Sequence, residues 1–185
     1  DYASGTSDTT LKGPLTQFHF AEDTNVGLLL FKQVLAYQSG REAAAATALL
    51  NNLHAPTIPV ESIASRGALT DAVVIFPQMD VKPVKNILLR GGVMMAWAPA
   101  AVFDPIATAQ RRSSGAYQNV AVNFNGGAPG GYYGTELDGR AQWRYLDHFA
   151  LDLEGAVLFP GSALQDEDGH AVRSFMVDAR TTVFF

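Results

Sequence analysis

The sequence predicts an all-β protein: a transmembrane antiparallel up-and-down β-barrel with about five strands in this chain and a long, partly helical loop. Two observations predict this class. Apolar and polar residues alternate with a period of two over several segments, which is typical of strands with one apolar face. In addition, no apolar stretch reaches the roughly 18 residues that a transmembrane helix needs.

Composition narrows the class of protein further. The length of 185 residues suits one domain, and 48% hydrophobic with 17% charged residues excludes a disordered polyampholyte. The absence of cysteine rules out a disulfide framework and thiolate metal sites. A net charge of -5 provides no basic surface for nucleic acid, so we expect no nucleic-acid partner. A mean hydropathy of +0.05 fits a barrel, whose strands dilute apolar residues with polar ones.

The N-terminal part predicts one strand end and a long connection. Residues 1–5 suit the outer end of an ascending strand that pairs with a strand near residue 72. Residues 6–69 then form a long loop, extracellular or folded into the lumen, before the transmembrane strands of 70–185. We treat 1–185 as a single barrel region.

Two parts of this loop have helical character. Apolar residues from Val26 to Leu35 follow helical spacing after Thr24 and Asn25, which suit a helix cap, although the same run has strand propensity. Residues 41–53 are rich in helix-forming residues. Such an apolar helical pair should fold into the lumen as a constriction or plug, dock on a partner protein, or pack on the rim of its own barrel.

Five segments of the C-terminal part alternate as strands do. Pro77 predicts a β-bulge within the first of them. Short turns near 83–85 and 146–147 alternate with longer connections at 99–131 and 161–171, as in barrels with short turns at one end and long loops at the other. The five strands cover 72–82, 86–98, 132–145, 148–160 and 175–185.

The apolar face of these strands has aromatic residues at both ends and aliphatic residues between them. Two aromatic girdles around an aliphatic belt are typical of a membrane-spanning barrel. A soluble barrel or β-sandwich, with the same face turned towards an interior core, is the alternative. The predicted girdle residues are Trp97, Tyr133 and Phe159 at one end, and Trp143, Tyr145, Phe149 and Phe185 at the other.

The opposite face carries charges of both signs, which we predict to line the lumen. Rings of charged side chains set ion or solute selectivity in a pore, but they also form salt-bridge lattices that stiffen a barrel wall. The predicted lumen-lining residues are Asp80, Lys82, Arg90, Glu136, Asp138, Arg140, Arg144, Asp152, Glu154, Asp178 and Arg180.

About five strands cannot close a barrel, because the smallest bacterial barrels have about eight. We therefore expect this chain to form part of a larger barrel, with another polypeptide stretch supplying the N-terminal strands. Alternatively, the segments 14–20, 26–37 and 117–124 supply extra strands and close a small barrel.

No catalytic, metal or cofactor site is predicted. The histidines His19, His54, His148 and His170 occur without a GxSxG or HExxH motif, so we expect no enzyme. The acidic turn before His170 lacks the spacing of a calcium loop, and the Gly-rich segment near 126–134 lacks the lysine of a phosphate loop.

Three segments carry a family resemblance: DYASGTSD, the hairpin LDGRAQWRYLDHFALDLEGAVLFPGSAL and the terminal FMVDARTTVFF. Together they resemble the C-terminal region of Gram-negative outer-membrane porin-like β-barrels, including the alginate-export-like group. The resemblance implies a bacterial outer-membrane location, lipid as surroundings, and recognition of the terminal strand by the barrel-assembly machinery. It also implies a porin-like channel or export pore for polar solutes. The alternative function is a non-conducting structural anchor that docks other envelope proteins through the long loop.

Overall fold

In a computed structural model of the protein, the described residues are 1–9, 16, 18, 20, 26–38, 70–114, 120–146 and 148–184. Strands dominate this part of the chain. The strands are β1 (Tyr2–Ala3), β2 (Ala72–Ile75), β3 (Gln78–Val84), β4 (Ile87–Val102), β5 (Gly130–Tyr145), β6 (Phe149–Pro160) and β7 (Ser174–Val183). The helices are a π-helix (Leu30–Leu35), α1 (Pro105–Ser113) and a 3₁₀-helix (Ser162–Leu164).

All seven strands belong to one antiparallel sheet, which confirms the predicted all-β class. The order is β1-β2-β4-β5-β6-β7, and β3 also pairs with β4. Within the described ranges the sheet does not close, because β1 pairs only with β2, β3 only with β4, and β7 only with β6. Residues 120–123, part of one predicted extra strand, are irregular, and most of 14–20 and 117–119 lie outside the described residues.

The predicted pairing of the N-terminus with the strand at residue 72 is confirmed. Tyr2 lies opposite Val73, and Ala3 lies opposite Ala72. The Val74 N–H donates to the Asp1 carbonyl at 2.9 Å, and the Asp1 ammonium donates to the Val74 carbonyl at 3.1 Å. The first residues therefore belong to the sheet edge.

The predicted β-bulge at Pro77 is wrong. The register of β2 and β3 against β4 continues from Ile75 opposite Met95 to Gln78 opposite Gly92 without a shift. Pro77 interrupts the strand by lacking an N–H, but its carbonyl still accepts the Val93 N–H at 3.2 Å. The register shift occurs later, between Val81 and Val84.

The apolar run after residue 25 is helical, as its spacing predicts, and it supplies no strand. One helical turn over 36–38 follows the π-helix Leu30–Leu35. We call residues 26–38 the inner segment. The predicted cap at 24–25 and the second helix at 41–53 lie outside the described residues.

Helix α1 was not predicted, although the sequence contains its start signal. The Asp104 side chain accepts a hydrogen bond from the Ala107 N–H at 2.8 Å, and Pro105 occupies the first turn. This is the usual combination of an acidic N-cap and a proline at the first helical position.

The core lies between the inner segment and one face of the sheet. Leu30 and Phe31 of the π-helix pack in one apolar cluster with Met94 and Leu158, and all four side chains are buried. None of the helices in the described part of the chain is long and apolar enough to cross a membrane.

Candidate functional site

The two faces of the sheet differ in chemistry, because side chains alternate along each strand. One face carries the inner segment and the charged residues, and we call it the inner face. The other face, the outer face, is apolar and exposed, with Val93, Leu137 and Val157 opposite one another in its centre. These residues are between 39% and 43% exposed.

Charged side chains of the inner face lie side by side across five strands. The register places Asp80, Arg90, Arg140, Glu154 and Asp178 directly opposite one another, one residue per strand. We call this set the charged row. It places the two arginines in the middle and the three carboxylates towards the two sides.

Ion pairs connect the charged row. Arg90 binds Asp80 through two parallel hydrogen bonds of 2.6 and 2.8 Å, which is the bidentate geometry that suits guanidinium and carboxylate. Arg140 binds Asp152 of the neighbouring level through both Nε and Nη2, and its Nε also lies 3.3 Å from a Glu154 oxygen.

The remaining predicted lumen residues lie at the turn end or below the inner segment. Lys82 and Arg144 are exposed near the turns, and Arg180 lies beside Asp178 with 3.6 Å between Nη2 and Oδ2. Asp138 is partly buried, and its Oδ1 is buried without a hydrogen-bond partner among the described residues.

Glu136 does not line an open lumen, so this part of the prediction is wrong. Its side chain is 0% exposed beneath the inner segment. Its carboxylate accepts the backbone N–H groups of Leu28, Leu29 and Leu30 at 2.7, 2.8 and 2.7 Å. Glu136 therefore caps the π-helix from another strand, because a carboxylate satisfies the unpaired N–H groups of a helix start.

A cavity of about 190 Å³ lies below the start of the inner segment. Its walls mix apolar, polar and charged side chains, and the charged row contributes Arg90, Arg140 and Glu154. The other lining residues are Gly27, Leu28, Phe76, Gln78, Gly92, Asp138 and Gly139.

Aromatic side chains of the outer face gather at its two ends. At the loop end, Trp97 stacks on Tyr132 with ring centroids 5.6 Å apart. At the turn end, the ring centroid of Trp143 lies 5.7 Å from that of Tyr145 and 6.1 Å from that of Phe149. Phe159 lies at the loop end below the Arg173 guanidinium, and Phe185 lies outside the described residues.

Tyr133 is not a girdle residue, because a register shift turns it to the inner face. Gly134 lies opposite Ala96 whereas Tyr132 lies opposite Trp97, so Tyr133 is the extra residue. Gly134 has φ +135°, a conformation that glycine adopts easily. Tyr133 is consequently 3% exposed, and its ring packs edge-on against the Phe31 ring with 6.0 Å between the ring centroids.

Asp71 connects three elements at the loop end of the sheet, beyond Trp97. Its carboxylate accepts the Ala100 N–H at 3.0 Å, and its carbonyl accepts the Tyr133 hydroxyl at 3.2 Å. Burial raises the pKa of Asp71 to about 6, although the Ala100 hydrogen bond lowers it. Gly5 approaches so closely that an added Cβ would lie 1.8 Å from Asp71 Oδ1.

The buried Asn123 side chain joins two inter-strand connections by hydrogen bonds at the loop end. Its Nδ2 donates to the carbonyls of Ala128 at 3.1 Å and Gln165 at 2.8 Å. Its Oδ1 accepts the N–H groups of Asn125 at 2.9 Å and Gly127 at 3.0 Å. These bonds join the connection after α1 to the connection after β6.

The acidic turn before His170 is a local backbone structure. Asp166 Oδ1 accepts the N–H groups of Asp168 at 3.0 Å and His170 at 2.8 Å. Potential ligand atoms of these three residues come within 4.8 Å of one another, which the turn itself explains. His148 is exposed at the turn between β5 and β6, and His19 and His54 lie outside the described residues.

A scan against protein-family models found no match, and neither did searches of curated proteins and of solved structures.

Proposed function

We propose that this chain forms part of the wall of a bacterial outer-membrane β-barrel whose charged lumen passes polar solutes. The observation that carries the proposal is the exposed apolar outer face. A soluble antiparallel sheet buries its apolar face and exposes the polar one. Here the apolar residues of the outer face are exposed: Val177 is 79% exposed and Phe175 is 80% exposed.

The distribution of aromatic residues supports a lipid environment. The outer face has aliphatic residues in its centre and aromatic residues at both ends, which matches the belt and girdles of a membrane barrel. The distance from Ile87 to Trp97 along β4 is about 33 Å at roughly 3.3 Å per residue. A strand tilt of about 40° reduces this to about 25 Å, the height of an apolar belt.

The inner face supports a polar passage. The charged row contains both signs, and its members pair with one another or with Asp152 and Arg180 of the neighbouring level, so no large field of one sign faces the lumen. Such a lining suits small polar solutes better than it suits one type of ion. The paired charges also stiffen the wall, so the two predicted roles are compatible.

The proposal implies three partners. Lipid covers the outer face, and the barrel-assembly machinery recognises β7. Further strands must pair with the edge formed by β1 and β3 and with the free edge of β7, because an unpaired N–H or C=O costs several kcal/mol in hydrocarbon. A second polypeptide stretch that co-purifies in detergent would be their source.

Single-channel recording of the assembled barrel in planar lipid bilayers tests the proposal. We expect stepwise conductance whose ion selectivity changes when Arg140 is replaced by glutamine, since that leaves Asp152 and Glu154 without their cation. Val172→Gln, at an exposed site of the loop end, is the matched control. An intact, closed barrel without conductance would refute the channel and favour the structural anchor.

A further inference from the structure

We infer that the inner segment is a fixed constriction of the proposed pore, and that Glu136 is the residue that positions it. This inference rests on the proposed channel and adds to it the level at which the passage narrows. The inner segment is held at its start, in its middle and at its end.

The start of the inner segment is held by charge. Glu136 accepts N–H groups from three consecutive residues, Leu28 to Leu30, all within 2.8 Å. Hydrogen bonds to an ionised acceptor are about twice as strong as neutral ones. The preceding Gly27 has φ +71°, and an added Cβ would lie 2.9 Å from the Glu136 oxygen. The local backbone is therefore shaped around this carboxylate.

The middle of the inner segment is held by apolar packing. Leu30 is 0% exposed and Phe31 is 2% exposed, and both pack against the sheet. Met94 is fully buried below them, so water reaches this part of the inner face only if the segment moves away.

The end of the inner segment is attached to the loop end of the sheet. Gln38 Nε2 donates to Asn125 Oδ1 at 3.1 Å. A second cavity, of about 230 Å³, lies between Val34 and Gln38 on one side and Leu158 and Ser174 on the other. Because the segment begins beside Phe76 and ends beside Ser174, it crosses the inner face from β2 and β3 to β7.

This crossing divides the inner face into two levels. The inner segment covers the Glu136 level. The charged row lies four residues nearer the turns and faces the cavity below the start of the segment. The two levels are about 13 Å apart along the strand. A solute that passes the segment must therefore pass next to the charged row, where Arg90 and Arg140 face the cavity.

Cysteine accessibility combined with conductance tests the inference. The chain has no cysteine, so Met94→Cys introduces a single thiol beneath the inner segment. We expect slow reaction with a membrane-impermeant methanethiosulfonate reagent in the otherwise unchanged chain. Glu136→Ala should accelerate the reaction at least about tenfold by opening the segment locally. It should also increase the single-channel conductance.

Two further variants keep the test decisive. Glu136→Gln retains the shape and one acceptor oxygen, so it should give an intermediate labelling rate if Glu136→Ala fails to assemble. Asp178→Asn removes a carboxylate from the same face far from the segment, and it should leave the labelling rate of the Met94 position unchanged.

The outcomes separate the two claims. Faster labelling with increased conductance supports the constriction. Conductance that is equal in the Glu136→Ala variant and the unchanged chain refutes the constriction but leaves the channel intact. Fast labelling in the unchanged chain shows that the segment is not fixed, and it also refutes the inference. Absence of conductance in every variant, with labelling still dependent on Glu136, refutes the channel itself.

Discussion

An arginine in the centre of the outer face tests whether lipid surrounds this sheet. Leu137 lies on β5 between Tyr132 and Trp143, the aromatic residues at the two ends of the outer face, at about 16 Å from the first and about 20 Å from the second along the strand. This places Leu137 near the middle of the proposed apolar belt. Its side chain is 43% exposed on the outer face.

The expected loss of folding stability follows from this depth in the proposed bilayer. An arginine on the lipid face costs about 2–4 kcal/mol at the bilayer midplane but only about 0–1 kcal/mol near the interface. Leu137→Arg should therefore reduce the folding equilibrium constant in lipid by roughly 30-fold to 1,000-fold. At an exposed site in water the same substitution stays within about 0.5 kcal/mol. Tyr145→Arg is the matched control, because Tyr145 lies on the same face and strand at the turn end.

Denaturant titration of the assembled protein in phosphatidylcholine vesicles measures the difference, with tryptophan fluorescence as the signal. We expect Leu137→Arg to destabilise the folded state by at least about 1 kcal/mol more than Tyr145→Arg does. Equal costs for the two variants would refute the lipid-facing assignment of this surface.

Three further predictions concern the loop end of the sheet. Gly134→Val should destabilise the protein by about 2–4 kcal/mol in denaturant titration, because the added Cβ would lie 2.3 Å from the Phe159 carbonyl; Gly139→Ala, whose nearest neighbour is 4.0 Å away, should be tolerated. Asn123→Ala should remove four hydrogen bonds and accelerate limited proteolysis of the connection after β6, and an unchanged cleavage pattern would contradict the role of Asn123. The raised pKa of Asp71 means that the folded state binds its proton more tightly than the unfolded state, so stability should fall as pH rises from about 4 to about 6 and then level off. Asp71→Asn should remove this dependence from the pH profile of Tm, and an identical profile in both proteins would exclude Asp71 as its source.

The strands could be predicted from the sequence because their alternation depends only on local side-chain direction. The segments 86–98, 132–145 and 148–160 each fall within or close to an observed strand, and their inner and outer residues are mostly assigned correctly. Tyr133 was assigned to the wrong face because it is itself the extra residue of a register shift, which reverses the alternation there. The neighbouring glycines at 130, 131 and 134 were a signal of this irregularity.

The role of Glu136 could not be predicted from local pattern. Its partners lie 106 to 108 residues away in the chain, and its position within a charged, alternating strand made it look like its neighbours. The structure shows that the N-cap residue of the π-helix is Leu29, which provides no side-chain hydrogen bond. The sequence alone did not show that this helix start needs a cap from elsewhere. Helix α1 is different, since Asp104 followed by Pro105 was a readable start signal in a connection that we treated as irregular.

The strand directions at the two free edges of the sheet restrict how the proposed barrel can be completed. Four successive antiparallel pairings separate β3 from β7, so these two strands run the same way. An antiparallel ring that joins their free edges must therefore insert an odd number of strands between them. The strand beside β3 then runs in the direction of β1. A second copy of this sheet in the same membrane orientation could place its β7 beside β3 only as a parallel pair.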